Sequence, residues 1–439
     1  MELTIEKLIY GGDGLGRLPA DDKGRGKAAF VPFTLPGEKI EAQITDEKPG
    51  FVRASATRLV EASPLRIEAA CPYFQRCGGC HYQHTDYGEQ LKLKEDILKE
   101  NLRRLAKMES PPEVTVHASP AWSYRNRTRL QVRVDSGFAL GYFKASSHEL
   151  LPVERCPISS SLLNRAIQVL WKLGSGRQVA PNVREVELFA NDDDSQLQVE
   201  LYVDSRQQAE KGQEPQNFAE RLRAALHEVS TIYVFAQTVA QARGAQGHIT
   251  EEPLWTDHPG EFRYRTKAGA LRVSGGSFFQ VNRFLVEELV GIVTGGRSGE
   301  IALDLYAGVG LFSAALAASF RHIVAVESSQ GSAADLKYNS PRNVKAVRSA
   351  VDAYLAGQGA KVRPDYAVVD PPRAGLGERV ASAVAKLGAP RITYVSCDPA
   401  TLARDLITLT GAGYRVERLH LVDLFPQTYH IESVIELAR

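Results

Sequence analysis

Apolar and polar positions change their period three times along the chain. Up to about residue 60, short alternating runs (Leu3 to Ile9, Ala28 to Phe33, Lys39 to Thr45, Val52 to Val60) sit between Gly- and Pro-rich punctuation. Gly11-Gly12-Asp13-Gly14-Leu15-Gly16 reads as one of these turns. Strands so spaced predict a small barrel of OB-like type. From Tyr87 to Lys107 the period becomes helical, with Leu91, Leu98, Leu102 and Leu105 near one face, and Pro111-Pro112 ends it. Two-residue alternation returns in Thr128 to Val134, Val183 to Phe189 and Gln196 to Val203, which predicts a β-rich central region. Asn191 to Ser195 and Gln207 to Asn217 are polar and predict loops or an insertion.

Beyond Gly276 strands and helices alternate. Ile301 to Leu305, His322 to Glu327, Asp365 to Asp370 and Arg391 to Ser396 are strand-like, with helices at Leu311 to Ser319 and Thr401 to Leu409. The runs Arg415 to Leu424 and Ile431 to Leu437 then predict a closing hairpin. That order is a doubly wound α/β, Rossmann-like domain.

Composition adds little to this division. Of 439 residues, 44% are hydrophobic and 24% charged, an ordinary globular mixture. No apolar run approaches the roughly 18 residues of a membrane span, and the first residues lack a signal-peptide pattern, so a cytoplasmic protein is expected. The formal net charge of +1 does not by itself indicate nucleic acid. Any basic surface is local: Ala121 to Lys144 holds five cations (Arg125, Arg127, Arg129, Arg133, Lys144) against one acid, Asp135, and a solvated strand face explains that equally well.

The five cysteines divide four and one. Cys71, Cys77 and Cys80 are separated by five and then two residues, and Cys156 follows in Arg155-Cys156-Pro157. An odd count without a signal peptide disfavours a disulfide scaffold and suggests one metal site and one reactive thiol. Cys397 is the remaining thiol. It lies in Ser396-Cys397-Asp398-Pro399, between a strand and a helix, where a helix N-terminus favours thiolate.

Two further segments fall at strand ends of the same domain. In Leu303 to Gly310, Gly308 and Gly310 let backbone approach a ligand, and Glu327, 17 residues beyond Gly310, suits two ribose hydroxyls. Asp370-Pro371-Pro372-Arg373 is a stiff loop resembling that of nucleic-acid amino-methyltransferases. Those carry an aromatic residue where this chain has Arg373. Glu432 enters the last strand, where pattern alone favours simple edge solvation.

Taken together, Ser277-Phe-Phe-Gln280-Val-Asn282, the Leu303 to Gly310 loop, Asp370-Pro-Pro-Arg-Ala-Gly375, Val395-Ser-Cys397-Asp-Pro-Ala-Thr-Leu-Ala-Arg404-Asp405 and His430-Ile-Glu432 resemble the RNA 5-methyluridine methyltransferase family. The layout is most similar to its TRAM-containing members that act on 23S rRNA. The resemblance implies an α/β Rossmann-like S-adenosylmethionine methyltransferase domain over 274–439, a TRAM-like OB barrel over 1–62, and a β-rich central domain over 63–84 and 112–273 carrying an iron–sulfur cluster. It leaves 85–111 as a helix packing on the catalytic domain.

The resemblance also implies roles. Cys397 is the nucleophile toward uracil C6, Glu432 the base that removes the C5 proton, and Asp370 orients the uracil beside the cofactor methyl. Gln280, Tyr306, Gly308, Gly310, Glu327 and Asp370 match cofactor-binding positions. Leu311 replaces an Asn found in some relatives, and Asp352 is a loose match for a further polar contact. Cys71, Cys77, Cys80 and Cys156 match ligands of a 4Fe-4S cluster, although four thiolates also suit zinc. Tyr124, Arg125 and Arg127 are expected to meet RNA, by stacking on bases and contacting phosphates. The expected partner is RNA, 23S rRNA before tRNA, with no membrane and the protein a monomer. An NAD-type oxidoreductase and a non-catalytic RNA-binding iron–sulfur protein are the competing readings.

Overall fold

The computed structural model describes residues 1–19, 24, 26–135, 137–204, 214–238, 248–249, 253–257 and 261–439. Five strands, β1 (Glu2–Leu8), β2 (Asp13–Arg17), β3 (Ala28–Pro32), β4 (Lys39–Glu47) and β5 (Phe51–Glu61), close into a barrel in the order β1-β2-β3-β5-β4. Its interior takes alternate residues: Leu3 and Ile5, Ala29 and Val31, Ile40 and Ala42, Val52 and Ala54. The Gly-rich run expected as a turn is half strand. Gly14 and Gly16 are needed there because a Cβ would meet the Thr34 hydroxyl at 2.1 Å and the Thr4 carbonyl at 2.9 Å.

Helix α1 (Tyr87–Arg104) follows, capped by the Asp86 carboxylate on Glu89 N–H. Its buried face differs from the expected leucine stripe. Leu93, Ile97, Leu98 and Leu102 are buried with Gln90 and Lys94, whereas Leu105 is exposed. The face packs on the α/β domain through these apolar side chains, with Gln90 and Lys94 bonded to Gln427 and Asp423 beside them, which apolar periodicity cannot reveal.

Strand β6 (Val114–His117) departs from the expected central region and joins the catalytic sheet. The central sheet comprises β7 (Arg127–Arg133), β8 (Ala139–Phe143), β9 (Leu150–Pro152), β10 (Val183–Ala190), β11 (Leu197–Asp204), β12 (Val229–Thr238), β13 (His248–Ile249) and β14 (Trp255–Asp257). The order is β13-β12-β11-β10-β7-β8-β9, with β14 also on β12. Helices α2 (Ser161–Ser175) and α3 (Glu214–Ala225) share an apolar core with Leu197, Val199, Leu201 and Val203 of β11, whose other face is also buried. Of the polar run Gln207 to Asn217, residues 207–213 lie outside the described residues, and the remainder begins α3.

A hairpin of β15 (Arg263–Thr266) and β16 (Gly269–Arg272) leads to the catalytic sheet. Tyr264 and Leu271 of this hairpin already belong to the catalytic core, ahead of the expected boundary at 274. The sheet holds β17 (Gly299–Leu305), β18 (Phe320–Glu327), β19 (Val344–Arg348), β20 (Tyr366–Val369), β21 (Arg391–Ser396), β22 (Arg415–Val422) and β23 (Glu432–Ala438). Its helices are α4 (Val286–Thr294), α5 (Leu311–Leu316), α6 (Gln330–Asn339), α7 (Val351–Ala356), α8 (Gly377–Leu387) and α9 (Pro399–Gly411). The order β19-β18-β17-β20-β21 is parallel, and β23 then runs antiparallel between β21 and β22. The strand order reverses direction between β17 and β20, so the crevice at their carboxyl ends is where this architecture holds ligands.

Candidate active site

The loop after β17 is forced into left-handed backbone at Tyr306 (φ 65°), Gly308 (φ 56°) and Gly310 (φ 96°). Tyr306 is the notable case, because a side chain bears the cost there. A Cβ on Gly308 would meet nothing within 4 Å, so the loop faces open space. The Glu327 carboxylate accepts Gly308 N–H at 3.0 Å and Ser329 N–H at 2.7 Å, which ties this loop to the end of β18. Tyr306, Ser328, Asp352 and Leu376 line a cavity of about 420 Å³ beside it. Asp352 also pairs with Arg379, and Leu311 is buried in the apolar core.

The loops after β20 and β21 are fastened to one another by Asp405 of α9. Its buried carboxylate accepts Leu376 N–H at 2.6 Å, Gly377 N–H at 3.1 Å and the Tyr394 hydroxyl at 2.8 Å. Thr401 donates to Arg373 O, and Arg404 to Ala374 O. Gly375 (φ 71°) allows the approach, since a Cβ would lie 2.5 Å from an Asp405 oxygen. Asp370 and Cys397 are therefore held at adjacent strand ends. Glu432 follows on β23, one residue before Ser433, which pairs with Ser396.

These groups lie near enough for their charges to act on one another. Burial, then the charges of Glu432 and Asp370, push the Cys397 thiol up to about 12, opposed by Arg373. Burial and Asp370 hold the Glu432 carboxyl well above the usual range. Burial and Asp304 push Asp370 up to about 7, and burial does the same to Asp304. The expectation of a stabilised thiolate is thereby reversed. The N–H groups that start α9 are taken by the Asp398 carboxylate, which accepts from Ala400 and Thr401 at 2.9 Å each. Little of the helix-end field is left for sulfur.

Asp304 is a site residue the sequence analysis passed over. Its signal was present: an acid inside the otherwise apolar strand Ile301 to Leu305. One of its oxygens binds the Ser313 hydroxyl, while the other is buried without a partner. Gln280 is buried, and its backbone carbonyl accepts from the Asn126 amide.

Cys71, Cys77, Cys80 and Cys156 are all free thiols lining one cavity of about 630 Å³. Asn164 of α2 brackets Cys156, accepting its N–H at 2.8 Å and donating to its carbonyl at 3.0 Å. Burial, followed by repulsion from neighbouring thiols, pushes Cys80 to about 12; burial also takes Cys77 to about 11. Among the described residues, no three His, Cys, Asp or Glu side chains are arranged to hold a metal ion. No helix among the described residues is long and apolar enough to cross a membrane.

The expected RNA contacts need correction. Tyr124 is fully buried and donates to Pro426 O at 2.9 Å, so its ring is unavailable for stacking. Arg127 is neutralised between Glu187 and Glu200. Arg125 donates to Arg127 O and lines the cysteine cavity. Two cations of the run, Arg127 and Arg129, thus belong to a salt-bridge network with Glu185, Glu187 and Glu200. The strand alternation placed these residues correctly, but their partners come from β10 and β11.

Comparison with known proteins agrees with this arrangement. Residues 86–439 match the model of the tRNA (uracil-5-)-methyltransferase family, and residues 1–57 match the TRAM domain. An RNA methyltransferase of Aquifex aeolicus is 33% identical over 99% of this chain and 97% of its own. The 23S rRNA (uracil(1939)-C(5))-methyltransferase RlmD of Pseudomonas putida is 32% identical over 98% of this chain and 92% of its own. The same fold occurs in the Pyrococcus abyssi tRNA (uracil-54, C5)-methyltransferase solved with S-adenosyl-L-homocysteine, with TM-score 0.75, 24% identity and full coverage of both chains. The chain belongs to the tRNA (uracil-5-)-methyltransferase family and is an S-adenosylmethionine-dependent RNA (uracil-C5)-methyltransferase with an N-terminal TRAM domain.

Proposed function

We propose that this enzyme methylates a uridine of 23S rRNA by covalent catalysis, with Cys397 as nucleophile, Glu432 as base and Asp370 positioning the uracil. The observation that supports the mechanism is the convergence of one thiol and two carboxyls at neighbouring strand ends, each raised by burial first and then by nearby charges. Uracil C5 is a weak carbon nucleophile. Cys397 first gives up its proton, to the Asp370 carboxylate or to solvent, and addition of the resulting thiolate to C6 moves the ring electrons toward O4 and makes C5 nucleophilic. After methylation C5 still carries its proton. Glu432 accepts it, the C6–sulfur bond breaks, and the thiolate leaves. Asp370, near its midpoint at neutral pH, can donate to a uracil carbonyl or accept from N3–H.

S-adenosylmethionine supplies an electrophilic methyl and a positive sulfonium when bound. Tyr306, Gly308, Gly310, Glu327 and Gln280 would hold it. The repulsion among Asp304, Asp370 and Glu432 fits such a cation, because positive charge beside them relieves what burial imposes.

We infer that Cys71, Cys77, Cys80 and Cys156, four free thiols lining one cavity, would hold a 4Fe-4S cluster. The group would brace the segment structurally. The rRNA assignment rests on the full-length likeness to RlmD.

Two measurements test these readings. Cys397→Ala should abolish methylation while leaving S-adenosylmethionine binding intact, and persistent methylation would remove the covalent step. Mapping 5-methyluridine in RNA from cells with and without the gene should show loss at one 23S rRNA position. Loss confined to tRNA would overturn the substrate.

A further inference from the structure

Tyr10 lies in the turn after β1, far in sequence from the catalytic strands. Its hydroxyl donates to the backbone carbonyl of Cys397 at 2.9 Å. The peptide joining Cys397 to Asp398 is also held at its other end, where Asp398 N–H donates to the Ser396 hydroxyl at 3.2 Å. One pin therefore comes from β21 itself and the other from the barrel.

The ring of Tyr10 extends this docking. It meets Tyr429 edge-on at 5.6 Å, and Tyr429 in turn meets His81 at 4.6 Å and His430 at 4.3 Å. Tyr429 and His430 lead directly into Glu432. Gly11 (φ 110°) and Gly12 (φ 94°) let the turn fit, and a Cβ on Gly12 would press on His81 at 3.2 Å. Gln427, with φ 68°, accepts the N–H groups of both His81 and Tyr82 at its carbonyl. The barrel thus touches the nucleophile's backbone and the segment that carries the base.

We propose that Tyr10 is a positioning residue for Cys397, so that the TRAM barrel completes the active site in addition to any hold on RNA. Attack on C6 requires the sulfur within near-attack distance and correctly aimed, and the Cα–Cβ direction of Cys397 follows the peptide planes beside it. Removing the Tyr10 hydroxyl frees one end of one of those planes while leaving the ring packed. The inference rests on Cys397 being the nucleophile.

The test is Tyr10→Phe in the full-length enzyme, assayed in single turnover with saturating RNA in which the target uridine is 5-fluorouridine. Fluorine at C5 cannot leave as a proton does, so the methylated adduct is trapped and appears as a shifted band on a denaturing gel. Adduct formation should slow by roughly five- to twentyfold. RNA affinity by filter binding and the melting temperature should stay close to wild type. Tyr10→Ala, which also removes the ring, should be slower still. An unchanged trapping rate in Tyr10→Phe would overturn the inference, as would a loss accounted for wholly by weaker RNA binding. If wild type forms no adduct, the assignment of Cys397 is what fails.

Discussion

Alkylation of Cys397 by iodoacetamide should be slow in the free enzyme and steeply dependent on pH. The thiol is pushed up to about 12, first by burial and then by Glu432 and Asp370. At about pH 8 a group with that value is roughly one part in ten thousand thiolate, whereas an unperturbed cysteine near 8.5 is about one quarter ionised. The more basic thiolate is intrinsically more nucleophilic, which recovers about fortyfold for a Brønsted slope of 0.45. The net expectation is a rate on the order of fiftyfold below a free cysteine, rising about tenfold per pH unit to beyond pH 10. Peptide-resolved mass spectrometry separates Cys397 from the other four thiols. Asp370→Asn removes one neighbouring charge but not the burial, so it should speed alkylation at pH 8 to 9 by less than about tenfold. A plateau between pH 7 and 9 would show a thiolate stabilised by α9 and refute this account of the site.

Other consequences follow from particular contacts. Glu432→Gln should accumulate a covalent RNA adduct with unmodified uridine, visible on a denaturing gel, and its absence would remove Glu432 as the base. S-adenosylmethionine should gain affinity over neutral S-adenosylhomocysteine as pH rises from 6 to 8, because Asp370 ionises near 7 and attracts the sulfonium; calorimetry at each pH measures the ratio. Lys94 and Asp423 form a fully buried pair at 2.6 Å, with Lys94 also on Phe425 O. Lys94→Met strands a buried carboxylate and should cost about 3–5 kcal/mol, seen in denaturant melts or faster hydrogen exchange at Asp423 to Gln427. Glu436 is pulled down to about 2, with burial overcome by the nearby His420 ring, 3.5 Å away, and by the Arg297 guanidinium, which donates to it. Its folded-state value lies below the unfolded one, so its stabilisation is present above about pH 4.5 and is lost on acidification toward 2. Glu436→Gln should flatten the melting-temperature profile in that window.

How much of this was legible in one dimension depended on the range of the interaction. Strand and helix periods, the glycine turn after β17 and the chemistry clustered at strand ends are local, and each was visible in order along the chain. The four-and-one division of the cysteines was visible too, and one cavity holds the four. Residues whose meaning comes from distant partners were misjudged. Gly14 and Gly16 looked like a turn because the reason for them, Thr34 and Thr4, lies on other segments. Tyr124 and Arg127 looked like an RNA surface until Pro426, Glu187 and Glu200 covered them.

The sequence by itself determined the α/β domain and the family and singled out Cys397 as the proposed nucleophile, since these rest on short motifs and on periods of two and 3.6 residues. Tertiary structure decided the electrostatic surroundings of Cys397. Burial and two carboxyls from β20 and β23 outweigh a helix terminus whose N–H groups Asp398 has already taken. It also decided that the barrel reaches the backbone of Cys397, through one hydroxyl that no local pattern marks. Electrostatic energies and hydrogen bonds depend on distance in space, and only the folded chain sets that distance.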